Sequence, residues 1–168
     1  MVVQPSVKDD GKLRGAGWEE SVSVLLSSPD PRSRSRAAME LGGVGGDGAI
    51  KALVQALHDP AKEVRAAAAG ALSSIGHPAV DALEGALGDG NWVVRYRAAE
   101  ALGSIRDVRS VTALIRALGD ERDHVRYMAA KGLGKLGDRQ AMAPLSVARG
   151  DENPFVRGAV EEALAALR

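Results

Sequence analysis

VRAAAAGAL at 64–72, VRYRAAEAL at 94–102, VRYMAAKGL at 125–133 and VRGAVEEAL at 156–164 are four versions of one nine-residue phrase. Their arginines, Arg65, Arg95, Arg126 and Arg157, step by 30, 31 and 31 residues. An Asp stands six positions before each: Asp59, Asp89, Asp120 and Asp151. A degenerate copy, SRSRAAMEL at 33–41, precedes them and contributes Arg34. A period of this length marks a solenoid, in which each unit buries its apolar side only against its neighbours.

Within each period the apolar residues fall on two helices. The phrase carries one: Val64/Ala68/Leu72/Ile75, Val94/Ala98/Leu102/Ile105, Val125/Ala129/Leu133/Leu136 and Val156/Val160/Leu164/Leu167 each recur at helical spacing. A shorter helix precedes each: Ile50/Leu53/Leu57, Val80/Leu83/Leu87, Val111/Leu114/Leu118 and Met142/Leu145. Gly-rich turns end the phrase helices at Gly42-Gly43 with Gly45-Gly46, Gly76-His77-Pro78 and Gly137-Asp138. Asp59-Pro60 and Asn153-Pro154 read as a capping residue before a Pro at the first helical position. Trp18, Val22, Leu25 and Leu26 share one face of an opening helix, with Trp18 placed to cap the open end of the stack. Residues 1–16 show no periodicity and read as a flexible tail. The expected architecture is all-α: five helical pairs at about 17–45, 46–76, 77–106, 107–137 and 138–168, in one repeat domain that ends with the fifth pair.

The pattern L-x-D-x5-R-x2-A-x3-L-G, on helix pairs with a 31-residue period, resembles HEAT repeats, and most nearly the short subtype named for phycobilisome lyases. The resemblance covers about residues 18–168. It implies a right-handed α-α superhelix with the Val-Arg helices lining the concave face. It also implies that Asp59, Arg65, Asp89, Arg95, Asp120, Arg126, Asp151 and Arg157 form a structural ladder tying the turns of successive repeats. The sequence departs from the pattern at Ser33, which precedes Arg34 in place of Val, and at Arg149, which stands where Leu57, Leu87 and Leu118 stand in their units.

Composition excludes several function classes. The 22 basic and 22 acidic residues cancel, which disfavours a dedicated nucleic-acid binder. There is no Cys, so no disulfide scaffold, thiolate metal site or Cys nucleophile; this agrees with a reducing cytoplasm. No apolar run is long enough to cross a membrane. His58, His77 and His124 lie in three different units, and no spacing gathers metal ligands. The repeated His-Glu pairs of HEAT-type iron hydroxylases are missing, as is a GxSxG motif. The expectation is therefore no catalytic residue, no metal and no cofactor.

The aromatics point elsewhere. Of five, Trp92, Tyr96, Tyr127 and Phe155 lie on phrase helices. Trp92 and Tyr96 sit two residues either side of Val94, about 200° from the core line on a helical wheel. Tyr127 repeats the position of Tyr96, and Phe155 and His124 lie on the flank. Arg97, Glu100, Met128, Lys131 and Lys135 occupy neighbouring positions. Trp, Tyr and Arg dominate binding hot spots, and Met is enriched at interfaces. Repeats one and two are blander there, with Lys62, Glu63, Ala66, Ala67 and Gly70, while Arg32, Arg34, Ser35 and Arg36 make a small basic cluster. The expected function is a monomeric, non-enzymatic module that binds a protein partner on its concave face. The alternatives are a lyase- or chaperone-like protein handling a tetrapyrrole, implied by the resemblance, and, third, nucleic-acid binding.

Overall fold

The computed structural model describes residues 17–168; the expected tail at 1–16 lies outside the described residues. The described residues form ten α-helices and no strand. In chain order they are α1 (Gly17–Ser27), α2 (Pro31–Val44), α3 (Asp47–Ala56), α4 (Lys62–Ile75), α5 (Val80–Ala86), α6 (Trp92–Ile105), α7 (Val111–Ala117), α8 (Asp123–Leu136), α9 (Met142–Ala148) and α10 (Pro154–Ala166). Short 3₁₀ turns at His77–Ala79, Val108–Ser110 and Arg139–Ala141 lead into α5, α7 and α9.

The even-numbered helices carry the repeated phrase and pack on one another in order from α2 to α10. The odd-numbered helices are shorter and touch their like neighbours far less. A stack that is tighter on one side curves toward that side, which puts the even helices on the inner face of an α-α superhelix. The repeated Val and Leu positions are its spine: Val64, Val94, Val125, Leu41, Leu72, Leu102 and Leu133 are fully buried. Small residues set the spacing. A Cβ on Gly103 would stand 2.7 Å from the Cα of Gly132 on α8, and one on Gly42 or Gly134 would stand 2.9 Å from the Cα of Ala71 or Ala163. Real Cβ atoms do not approach this closely, so Gly is required at these three inner contacts.

One junction differs. Where α2, α6 and α8 place Gly42, Gly103 and Gly134 after their core Leu, α4 places Ser73. The following turn, 76–79, is also one residue short: Leu72 to Val80 spans eight positions, against nine for Leu102 to Val111 and Leu133 to Met142. The α4–α6 contact is correspondingly the loosest of the four inner ones.

Several local expectations change. Asp59 does not cap α4; the cap position is Ala61, and Asp59 accepts the Ala61 N–H from two residues upstream. Asn153 does cap α10, with Pro154 at its first position. Leu26 is exposed, and Val24 turns toward the core instead. Trp18 lies with its ring over Gly48 at the start of α3. Arg149 and Glu161 form an ion pair of 2.9 Å on the outer side of the fifth pair, at positions filled by Leu118 and the buried Ala130 in the fourth. That side is therefore polar where the inner junctions are apolar.

Candidate partner-binding site

The inner face is held in register by arginines, each working on two turns at once. Arg126 donates from Nη1 to the Asp120 carbonyl of its own turn at 2.9 Å, and from Nε and Nη2 to the Asp151 carboxylate of the next turn at 2.7 and 3.0 Å. Arg95 does the same with the Asp89 carbonyl (2.8 Å) and the Asp120 carboxylate (2.7 and 2.9 Å). A planar guanidinium suits this two-oxygen grip. The Asp six residues upstream thus offers its backbone carbonyl, not its side chain. The carboxylates of Asp120 and Asp151 belong to the Arg 25 residues before them.

Arg34, omitted from the expected ladder, is a full rung. It grips the Asp59 carboxylate at 2.6 and 2.9 Å and the Ser28 carbonyl at 2.8 Å. Its signal was the 25-residue spacing to Asp59. Arg65 is not a rung between repeats. It holds the carbonyls of Asp59 and Pro60, its buried Nε has no partner, and Asp89 instead pairs with His58 Nε2 at 3.0 Å. The spacing from Arg65 to Asp89 is 24, because the turn at 76–79 lacks one residue. Arg157 bonds the carbonyls of Asp151 and Glu152. Asp59 and Asp151 titrate below the usual carboxylate range, chiefly through the bonds from Arg34 and Arg126.

Across this scaffold α6, α8 and α10 start side by side. The Trp92 ring lies 5.3 Å from the His124 ring, tilted by 48°, and the Arg122 guanidinium stands 5.8 Å from the Trp92 ring centre. Arg97 lies 5.3 Å over Tyr96 and bonds Glu100 at 2.7 Å. Lys131 lies 5.5 Å over Tyr127. Burial lifts the Tyr96 hydroxyl above its ordinary value, and the Glu100 charge adds to the rise. Arg122 was missed by sequence reasoning. It occupies the N-cap position of α8, where α6 and α10 place Asn91 and Asn153, and its side chain caps nothing. A cation there opposes the helix dipole, and that mismatch was the readable signal.

Trp92 and Tyr96 are half-buried against Val125 and Ala129 of the next repeat, and Tyr127 and Met128 against the main core. The wheel angle that points away from their own helix's core line points at the neighbouring helix, not at open solvent. Phe155 is different, being 76% exposed. It borders an open cleft of about 370 Å³ with Tyr127, His124, Asp123, Asn153 and Val156. Asp123 accepts hydrogen bonds from Asn153 and His124 there. A second cleft, of about 470 Å³, lies between the later turns of α8 and α10 and is bordered by Lys131, Lys135, Arg106 and Glu162.

The other candidates disperse. The basic cluster of the first repeat is divided between the Arg34 rung and an Arg36–Glu40 pair. His77 bonds the buried Asp107 at 2.7 Å, and Asp107 is also held by Arg109. Among the described residues no group of three or more His, Asp or Glu could hold a metal ion, and no helix is long and apolar enough to cross a membrane.

The HEAT-repeats family model matches residues 19–91 and 82–165. Among solved structures, the chain is similar to the complex of CpcE and CpcF of phycocyanin lyase from Nostoc sp. PCC7120: 26% identity, TM-score 0.66, 99% of this chain and 70% of that one covered. It is also similar in fold to human deoxyhypusine hydroxylase (21%, TM-score 0.56, 89% and 73% covered). A designed armadillo repeat protein in complex with the peptide (KR)4 is similar in fold too (18%, TM-score 0.55, 88% and 80% covered). No curated protein sequence matches significantly. The period, the stacked helix pairs and these likenesses agree: the chain belongs to the HEAT-repeat family, with repeats of the short phycobilisome-lyase-like type.

Proposed function

We propose that this protein is a non-enzymatic module that binds a protein partner on its inner face, across the starts of α6, α8 and α10. The observation that carries the reading is Phe155. It is a large ring left three-quarters exposed at the edge of a cleft, while Val93 at the equivalent place in α6 is half-buried. His124 and Tyr127 share its cleft, and Trp92, Tyr96, Arg97, Glu100, Met128, Lys131 and Lys135 are the remaining proposed contacts on α6 and α8. Exposed aromatic anchors beside a polar rim are the usual composition of a hot spot.

The test is capture from the native host by immobilised protein, compared with Phe155→Ala and Val147→Ala. Val147 is as exposed as Phe155 but lies on α9, among the outer helices. Phe155→Ala should weaken capture by about 2 kcal/mol, and Val147→Ala should leave it unchanged. The opposite ranking rejects the site.

The likeness to the phycocyanin lyase complex supports a second reading, the handling of a tetrapyrrole in the same groove. Titration with a free bilin separates the two: a red-shifted, saturable absorbance band favours the second, and an unchanged spectrum the first.

A further inference from the structure

Two clefts follow one another along α8 and α10, one with an aromatic border and one with a basic border. Phe155, His124 and Tyr127 border the first; Lys131, Lys135 and Arg106 border the second. The Lys131 ammonium of the second lies over the Tyr127 ring of the first. None of these three cations has a carboxylate partner among the described residues. Against them the basic half sets only Glu162. In a chain whose charges otherwise cancel, this is a local excess of positive charge.

Helix ends explain part of it, because the C-termini of α6 and α8 attract cations. They do not explain Lys131, a full turn earlier in α8. Nor do they explain the backbone at Arg106. Here α6 ends on an Arg held at φ 58°, where α4 and α8 end on Gly76 and Gly137 at φ 77° and 72°. A side chain in this left-handed region is disfavoured relative to Gly, so Arg106 stands there against local backbone preference.

Building on the partner-binding reading, we infer that the two clefts act as one groove, which takes a short extended peptide segment of the partner. One end carries an apolar or aromatic side chain, seated against Phe155 and Tyr127. The other end is acidic and lies over Lys131, Lys135 and Arg106. From His124 to Lys135 the helix rises roughly 16 Å, which an extended chain spans in about five residues. A nucleic-acid strand fits less well. Its phosphates would run the whole groove and meet Asp123 at the aromatic end, whereas the peptide concentrates its charge at the basic half.

The probe is an acetylated, amidated hexapeptide, Phe-Gly-Ser-Glu-Asp-Glu, titrated by calorimetry. Its charge-inverted partner, Phe-Gly-Ser-Lys-Arg-Lys, and a ten-nucleotide oligothymidylate serve as controls. The acidic peptide should bind and weaken as salt is raised. The double variant Lys131→Glu, Lys135→Glu should weaken it at least about tenfold, equivalent to about 1.4 kcal/mol. The inverted peptide should not bind the parent protein, a comparison that needs no variant to fold. No binding of the acidic peptide at about 1 mM, equal or tighter binding of either control, or indifference to the charge reversals overturns the inference. If the acidic peptide fails while capture from the host still depends on Phe155, the partner surface stands and only the acidic chemistry falls. If capture is indifferent to Phe155, the underlying reading falls as well.

Discussion

Arg126 shows how much of this architecture rests on single side chains. It is 9% exposed and neutralises the buried side of Asp151 while holding the carbonyl of its own turn. Removing it leaves a carboxylate uncompensated. Arg126→Ala should therefore destabilise the protein by about 3–5 kcal/mol, and Arg95→Ala by a similar amount. Arg65→Ala should cost about 1 kcal/mol, because it removes bonds to carbonyls and strands no carboxylate. Urea denaturation of the three variants measures this, and equal losses at Arg65 and Arg126 would contradict the broken rung. The residue types of the ladder were legible in the sequence; the pairing was not. The six-residue interval between Asp and Arg recurs visibly, but it records a backbone contact. The 25-residue interval that records the ion pair crosses from one unit to the next, and finding it at Arg34 and missing it at Arg65 required seeing which turns are neighbours.

At the scale of helices, spacing is controlled by the residue next after each core Leu. Gly103→Ala would drive a methyl into the backbone of Gly132, so the α6–α8 pair must separate. A loss of about 1–3 kcal/mol is expected. Gly70→Ala, on the same kind of helix but with nothing within 4 Å of the added Cβ, should stabilise by about 0.5–1 kcal/mol through helix propensity. Thermal melts of the pair check the argument. Two losses of similar size would mean that helix contact does not explain the glycines. The helices themselves were readable from apolar periodicity, since Val and Leu at i, i+4 and i+8 have one buried solution. The directions of Trp92 and Tyr96 were not. A helical wheel gives an angle about one axis, and the burial of these rings is decided by the position of α8, which the wheel does not contain.

For the whole molecule, the stack explains why function is to be sought on the even-numbered helices. They pack on one another in order from α2 to α10, and the odd-numbered ones touch their like neighbours far less. Repeats three to five carry the unbroken rungs from Arg95 to Asp120 and from Arg126 to Asp151, so the groove between α8 and α10 lies on the far side of the loose α4–α6 junction, where the register is held. The central claim is that the partner lies against this inner face. Site-specific photo-crosslinking tests it most directly, with a benzophenone amino acid at position 155 or 147 in otherwise native protein. A discrete crosslinked partner from position 155, with none from position 147, is the predicted result. Crosslinking from position 147 with none from position 155 would place the partner on the outer helices and contradict the account.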